Sequence, residues 1–174
     1  MSDAPPAIRS DLDAIVVASA DAMRRLGEMI GTLLAPGDVL LLDGDLGAGK
    51  TTLAQGIGHG LGLPGQIQSP TFTLVNEHRL APPVRGIAVL HHVDLYRLGG
   101  GDLAGIGFDE LVDAPDAVTV VEWPKRAVAS LPPDYVVVAI AEDAGGRRVK
   151  VVGADPHGRS GRLADKIRGA VAAL

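Results

Sequence analysis

Apolar and polar residues follow a helical period in two parts of the chain. After Ser19, apolar side chains recur at steps of three and four residues, the spacing of an amphipathic helix. Pro36 and Gly37 predict the end of this helix. Residues 160–174 repeat the pattern, and residues 49–61 predict a third helix despite several glycines. The apolar positions of the first helix are Met23, Leu26, Ile30, Leu33 and Leu34.

Short runs rich in β-branched residues predict strands between these helices. Val39 to Leu42 is continuously apolar, which is typical of a central parallel strand covered on both faces. Asp134 to Ala141 and Arg147 to Val152 predict a terminal hairpin, because the joining EDAGG is turn-like. We expect the Pro- and Ala-rich residues 1–10 to be frayed. The other predicted strands are 13–18, 72–76, 87–94 and 118–122.

Length and composition bound the class of protein. A chain of 174 residues fits one domain spanning 1–174 with a sizeable core. The hydrophobic fraction of 47% and mean hydropathy of +0.23 are too apolar for a disordered chain. No apolar run approaches the roughly 20 residues of a membrane span, and no export signal opens the sequence. We therefore expect a cytoplasmic protein without a membrane association.

Charge and cysteine content narrow the chemistry. The net charge of -5 and pI near 5.4 argue against a broad face for nucleic acid, whose binding needs many cations. If RNA is involved, we expect a partner protein to hold it. The chain has no cysteine, which excludes disulfides, thiolate zinc sites and cysteine nucleophiles.

The stretch LLLDGDLGAGKTTL, residues 40–53, carries the clearest chemical signal. Gly44-x-x-x-x-Gly49-Lys50-Thr51 matches the pattern in which backbone N–H groups wrap a phosphate, a lysine reaches its oxygens and a hydroxyl binds Mg²⁺. The match lies between a predicted buried strand and a predicted helix, whose N-terminus favours an anion. The sequence therefore predicts a phosphate-binding loop.

Two other nucleotide-binding patterns do not predict a site in this chain. Gly60 to Gly65 satisfies G-x-G-x-x-G, but it follows a helix rather than a strand and contains Pro64, so it does not predict a dinucleotide site. No N-K-x-D motif for guanine occurs, which favours ATP over GTP.

Two carboxylates end predicted strands, Asp94 after VLHHV and Glu122 after VTVV. The carboxyl ends of parallel strands line the ligand crevice of an open α/β sheet, so either acid can approach a bound Mg²⁺, directly or through water. Each acid alternatively caps a nearby loop. His92 shares a strand face with Asp94, but without a third ligand the pair does not predict zinc.

Four motifs occur together and in order: GDLGAGKTT (44–52), SPTF (69–72), H-x-DLYRL (92–98) and EWP (122–124). This set resembles the TsaE family, formerly YjeE, of bacterial ATPases required for threonylcarbamoyladenosine formation in tRNA. The resemblance runs from about residue 13 to about residue 135. It implies a three-layer α/β domain of the P-loop NTPase type, with a mixed, mainly parallel central sheet and an antiparallel C-terminal hairpin.

The resemblance also implies roles for matching residues. Lys50, Asp94 and Glu122 would be catalytic, with Asp94 as the Walker-B-like acid and Glu122 as a metal-site or water-positioning carboxylate. Thr51 would bind Mg²⁺ together with these acids. The ATP phosphates would lie on Asp45, Leu46, Gly47, Ala48, Gly49, Lys50, Thr51 and Thr52.

Two further roles stay open beside structural alternatives. Ser69 to Phe72 occupies the place of a switch loop, in which Thr71 could sense the γ-phosphate; alternatively, it is a rigid loop whose hydroxyls cap backbone groups. Trp123, the single tryptophan, either stacks near the adenine or packs in the core.

The sequence departs from the family at Lys125, where relatives often carry an acid, and at His78, where many carry an aromatic residue. The tail contains Arg159, Arg162, Lys166 and Arg168, for which no family match is claimed. This basic helix is either a solvated face or a contact for a partner or RNA.

The resemblance implies a weak, Mg²⁺-dependent ATPase that acts with the TsaB and TsaD proteins and reaches tRNA only through their complex. Its state of association alone stays open. Two alternatives remain: a small-molecule P-loop kinase, and a nucleotide-binding module that does not hydrolyse ATP.

Overall fold

The computed structural model describes residues 8–11, 14–98 and 103–173, which form one sheet of eight strands with helices on both faces. In chain order, the elements are β1 (Ile8–Asp11), β2 (Ala14–Val17), α1 (Ala20–Leu33), β3 (Val39–Gly44), α2 (Lys50–Gly60), β4 (Val75–Val84), β5 (Ile87–Asp94), α3 (Phe108–Val112), β6 (Ala117–Glu122), β7 (Val136–Asp143), β8 (Gly146–Gly153) and α4 (Arg159–Ala172). Short 3₁₀ turns lie at Ala104–Ile106, Pro124–Arg126 and Val128–Ser130.

The sheet is mixed, with a parallel centre and antiparallel edges. Its order is β1-β2-β8-β7-β3-β6-β5-β4. The pairs β7–β3, β3–β6 and β6–β5 are parallel. Strand β4 pairs antiparallel with β5, and β7 pairs antiparallel with β8 in the C-terminal hairpin. The three-layer α/β fold, the mixed sheet and the hairpin are therefore confirmed.

Helices cover the two faces of the sheet unequally. Helices α1, α2 and α4 pack over the larger core, whereas α3 and neighbouring segments cover β3, β5 and β6 on the other face. Every residue of β6 is buried, including the polar Thr119 and Glu122, as expected of a central parallel strand covered on both faces. None of the helices among the described residues is long and apolar enough to cross a membrane.

Helices α1 and α2 touch through their backbones. A Cβ atom at Gly56 would lie 2.1 Å from the carbonyl oxygen of Arg24, and one at Gly60 would lie 2.1 Å from that of Glu28. Gly27 and Gly31 are equally tight on the α1 side. We call these four residues the glycine seam. The glycines that weaken the helical pattern thus permit the close packing that seats α2 against α1.

Two sequence expectations need correction, and one short helix was missed. The strand predicted at 72–76 begins at Val75 and continues to Val84, because Pro82 and Pro83 are tolerated on the outer strand of a sheet. Ile8–Asp11 pairs with β2 instead of fraying. The short helix α3 was not predicted, since five residues carry too little periodicity. The expectations for residues 1–7, for position 13 at the start of the strand predicted at 13–18 and for position 174 lie outside the described residues.

Candidate nucleotide-binding site

The loop between β3 and α2 has the backbone that its glycines predict. Gly47 and Gly49 have φ angles of +78° and +109°, a region that residues with a Cβ atom rarely adopt. Gly49 immediately precedes Lys50, the first residue of α2. The loop therefore ends at the N-terminus of an 11-residue helix, where free N–H groups and the helix dipole favour a phosphate.

Lys50 folds back onto this loop. Its Nζ donates to the carbonyl oxygens of Gly44 at 2.7 Å and Asp45 at 2.8 Å, and the residue is buried. Burial lowers the pKa of the ammonium group from its ordinary value, while the carboxylates of Glu122 and Asp94 oppose that shift. The lysine is thus a cation held inside the loop by carbonyls that an anionic ligand can replace.

The Trp123 ring covers Lys50, and the Tyr96 ring packs against Trp123. The Nζ atom of Lys50 lies 3.9 Å from the centre of the Trp123 ring, within the range of a cation–π contact. The Tyr96 ring lies 4.9 Å from that of Trp123, centre to centre. Trp123 has a φ of +61°, which is unusual for a bulky residue and directs the chain from β6 into the turn at Pro124–Arg126.

Glu122 contacts the loop helix directly. The hydroxyl of Thr51 lies 3.1 Å from both carboxylate oxygens of Glu122. The Nε2 atom of His92 lies 2.8 Å from Oε1 of the same carboxylate. Glu122 and His92 are almost inaccessible to solvent, at 2% and 1% exposure. Burying a polar group this deeply costs free energy unless it has hydrogen-bond partners such as these.

Asp94 anchors the SPTF loop. Its Oδ2 accepts a hydrogen bond of 2.8 Å from the Thr71 hydroxyl, and Ser69 Oγ lies 2.7 Å from Thr71 Oγ1. The other oxygen, Oδ1, accepts from the backbone N–H of Tyr96 at 2.9 Å. The loop hydroxyls therefore contact a carboxylate of the site and do not merely cap backbone groups.

Strand register brings the two acids together. Asp94 of β5 pairs with Glu122 of β6, and Leu42 of β3 pairs with Glu122 on the other side. The three parallel strands consequently end at one edge of the sheet, beside the loop that follows β3.

The donor atoms at this edge suit Mg²⁺. Thr51, Asp94 and Glu122 offer a hydroxyl and two carboxylates, the hard oxygen ligands that Mg²⁺ takes together with phosphate and water. Within the described part of the chain, no group of three or more His, Cys, Asp or Glu side chains is placed to hold a metal ion.

A cavity of about 290 Å³ joins these side chains. It brings together every predicted site residue except Asp45 and Ala48, and it adds Tyr96, which belongs to the DLYRL motif but was not singled out. Asp45 and Ala48 line neighbouring cavities. The predicted residues at the 290 Å³ cavity are Leu46, Gly47, Gly49, Lys50, Thr51, Thr52, Thr71, Asp94, Glu122 and Trp123.

A second cavity, of about 430 Å³, lies on the other side of the phosphate-binding loop. The start of α1, including Ser19 and Met23, forms one wall, and the β7–β8 turn forms another. From that turn, Arg147 donates through Nε to the carbonyl of Ala48 at 3.2 Å and through Nη2 to that of Gly47 at 3.3 Å. Sequence reasoning missed Arg147, because no local motif links it to a loop about 100 residues away.

Of the two residues that depart from the family pattern, Lys125 forms an ion pair, whereas the Nε2 atom of His78 is buried without a hydrogen-bond partner among the described residues. Lys125 pairs with Asp43 at 3.1 Å. Burial lowers the pKa of His78 from its ordinary value, and the neighbouring His92 lowers it further. In the basic tail, Arg159 pairs with the buried Asp38 at 2.7 Å, which fastens α4 to the turn before β3.

Comparison with known proteins gives consistent matches. A family profile described as "Threonylcarbamoyl adenosine biosynthesis protein TsaE" matches residues 17–149. Proteins named "tRNA threonylcarbamoyladenosine biosynthesis protein TsaE" are similar to the chain in Synechocystis (44% identity over 109 residues, 61% of this chain and 66% of that one) and in Nostoc (37% over 141 residues, 79% and 83%).

A solved structure agrees with the sequence matches. The crystal structure of YdiB from Bacillus subtilis superimposes with a TM-score of 0.72 and 26% identity, covering 89% of this chain and 93% of YdiB. The family match spans the phosphate-binding loop, both acids and the SPTF loop. The chain therefore belongs to the TsaE family.

Proposed function

We propose that this chain is a Mg²⁺-dependent ATPase that serves the biosynthesis of threonylcarbamoyladenosine in tRNA. One observation carries the proposal: the first turn of the loop helix places Thr51 3.1 Å from Glu122, beside Asp94 and the buried Lys50. Those groups are the cation, hydroxyl and carboxylates that phosphoryl transfer from ATP requires. Membership of a family named for this pathway supports the biological setting, which we place in the cytoplasm.

Each residue would contribute positioning or charge. Lys50 would exchange the carbonyls of Gly44 and Asp45 for phosphate oxygens, and the loop N–H groups would hold the same phosphates. Thr51, Asp94 and Glu122 would hold Mg²⁺, which when bound neutralises charge on the transferred phosphate. A carboxylate not engaged by the ion would orient the attacking water. Thr71 would respond to the γ-phosphate through its bond to Asp94.

We propose that the adenosine part of ATP enters the 430 Å³ cavity between the start of α1 and the β7–β8 turn. This cavity adjoins Gly47, Gly49 and Thr52 of the phosphate-binding loop. Trp123 lines the 290 Å³ cavity instead, with Thr51 and both acids. In this arrangement Trp123 positions Lys50 and does not stack on adenine.

We propose TsaB and TsaD as the partners, with tRNA reached only through them. The net charge of -5 suits a subunit that binds protein rather than a nucleic acid backbone. Leu46, which lines the 290 Å³ cavity, is 76% exposed, and Phe72, which follows Thr71 in the SPTF loop, is 83% exposed; a partner would cover these apolar side chains.

The test is phosphate release from ATP by the purified chain, alone and with TsaB and TsaD, with and without Mg²⁺. We expect slow release alone, acceleration in the complex, and loss of nucleotide binding by about 100-fold or more in Lys50→Ala, since a charge-assisted contact is lost. Lys166→Ala, an exposed lysine of α4, is the matched control.

Two results would contradict the proposal. Nucleotide binding unchanged in Lys50→Ala would show that ATP does not use this loop. Binding without release of phosphate in single-turnover measurements with the partners would favour a non-hydrolysing module instead.

A further inference from the structure

His92 makes a polar contact that the proposed mechanism does not use. It lies on β5 two residues before Asp94, and it is 1% exposed. Its Nε2 atom lies 2.8 Å from Oε1 of Glu122, while its Nδ1 atom is buried without a hydrogen-bond partner among the described residues. Since a carboxylate accepts and does not donate, the imidazole donates from Nε2 to Glu122. The contact with Glu122 is thus the hydrogen bond that this ring makes within the described structure.

The His92 ring is surrounded by packed side chains that hold it in place. Leu90, Val118 and Val120 belong to the core that surrounds this part of the sheet, and all three are buried. On β4, burial lowers the pKa of His78 from its ordinary value, and the neighbouring His92 lowers it further. Glu122 is the carboxylate that the imidazole contacts, at 2.8 Å, and the packed strands fix the ring.

Glu122 is held between two donors on different elements. His92 binds Oε1 from β5, and the Thr51 hydroxyl lies 3.1 Å from both oxygens at the start of α2. Without His92, Thr51 would be the one side-chain hydrogen bond left to Glu122 among the described residues. The carboxylate would then be free to rotate about its side-chain bonds, away from the position where Thr51 can share an ion with it.

We propose that His92 is a positioning residue for Glu122, and that it sets the affinity of the nucleotide site for Mg²⁺. It touches neither nucleotide nor metal; it fixes the carboxylate that does. Partners behind a metal ligand typically change metal affinity by about 10- to 100-fold when removed. The inference rests on the proposed function, because it assigns Glu122 to the metal-nucleotide site.

The test measures how Mg²⁺ changes ATP affinity in the full chain, by equilibrium dialysis with labelled ATP at increasing Mg²⁺. In His92→Leu we expect the half-saturating Mg²⁺ concentration to rise about tenfold or more. ATP affinity without Mg²⁺ should stay within about twofold, because the phosphate-binding loop is unchanged.

Two amide substitutions of His92 distinguish a positioning role from a role in packing alone. In His92→Gln, the longer side chain can place an N–H group where Nε2 stands, so we expect the half-saturating Mg²⁺ concentration within about threefold of the parent. In His92→Asn the amide is too short to reach Glu122, so this variant should behave as His92→Leu does. A role in stability alone would not restore Mg²⁺ affinity in the glutamine variant and leave it impaired in the asparagine variant.

The neighbouring histidine supplies the control. His91 is also buried, but its Nδ1 lies 3.2 Å from the carbonyl of Leu111 on the opposite side of the sheet. His91→Asn should therefore lower the unfolding midpoint or leave it unchanged, without altering the Mg²⁺ dependence. Unfolding midpoints of all variants are recorded in parallel.

The outcomes distinguish this inference from the proposed function. If the parent chain binds ATP with a clear Mg²⁺ dependence and folded His92→Leu keeps it, the role of His92 is overturned and the proposed function stands. Equal Mg²⁺ affinity in the glutamine and asparagine variants also overturns it. If Mg²⁺ has no effect on the parent chain, the metal site and the role of His92 both fail.

Discussion

The ammonium nitrogen of Lys50 lies 3.9 Å from the centre of the Trp123 ring. This contact joins the first residue of α2 to the residue that follows β6. The ring covers a lysine whose own loop carbonyls already satisfy two of its N–H donors. The pair therefore holds a buried cation ready at the mouth of the phosphate-binding loop.

Trp123→Leu should weaken ATP binding by about 2- to 30-fold, because a cation–π contact contributes about 0.5–2 kcal/mol. If Trp123 acts on Lys50, tripolyphosphate should lose affinity by the same factor. Equilibrium dialysis with both ligands checks this, and Trp123→Phe, which keeps an aromatic face, should lose less. A loss confined to ATP would mean that the ring stacks on adenine.

Thr71→Val removes the hydroxyl that donates to Asp94 at 2.8 Å and keeps the shape of the side chain. We expect ATP affinity within about threefold of the parent and at least about tenfold slower phosphate release with the partners, since the loop no longer responds through Asp94. Single-turnover release of phosphate measures the effect. Thr71→Ser should retain most activity, and Thr73→Val, whose hydroxyl faces Asn76, is the control. Normal turnover in Thr71→Val would contradict a sensing role.

Gly56→Ala should destabilise the protein although alanine favours helices. Its Cβ would lie 2.1 Å from the Arg24 carbonyl, so α1 and α2 must move apart, at a cost of about 1–3 kcal/mol. Gly169→Ala is the matched control: this α4 glycine has open space around it, and the change should stabilise by up to about 1 kcal/mol. Urea unfolding of both variants tests the prediction, and a stabilising Gly56→Ala would refute the close contact.

Arg159→Gln removes the cation that pairs with buried Asp38 at 2.7 Å. We expect the free energy of unfolding to fall by about 1–3 kcal/mol at pH 7. Asp38 keeps the hydrogen bond from the Ala35 N–H but loses its counter-charge. Burial already raises the pKa of Asp38 above 3.8, and losing Arg159 raises it further.

The raised pKa of Asp38 determines whether stability rises or falls with pH. Between 3.8 and the raised pKa, the folded state binds more protons than the unfolded state, so stability falls as pH rises. The difference between Arg159→Gln and the parent should therefore grow from about pH 4 to pH 7. Urea unfolding across this range measures it, with Arg162→Gln as the control, whose guanidinium donates to the exposed His157 carbonyl. A pH-independent difference would exclude the charge pair as its cause.

The sequence predicted the centre of the site because local rules govern it. Gly44, Gly49, Lys50 and Thr51 act within one strand, turn and helix, and a chain of this pattern can fold there in few ways. Asp94 and Glu122 were predicted from one further rule, that parallel strands end at the same edge of the sheet.

Contacts that depend on long-range packing could not be predicted. Arg147 reaches the loop only because β8 folds back beside β7 and turns towards it. The bond from His92 to Glu122 likewise depends on the pairing of β5 with β6. The outer strand β4 was predicted too short, because its two prolines argue against a strand unless one knows that it lies at the border of the sheet.

The glycine seam has a consequence for motion. Because the α1 and α2 backbones touch directly along it, no layer of side chains lies between them to slide or repack. The two helices must therefore move as one rigid unit. The N-terminus of α2, which would receive the phosphate, cannot tilt independently of α1. Nucleotide exchange would then reshape the cavity wall at Thr71, whose loop is fastened to Asp94 by side-chain hydroxyls.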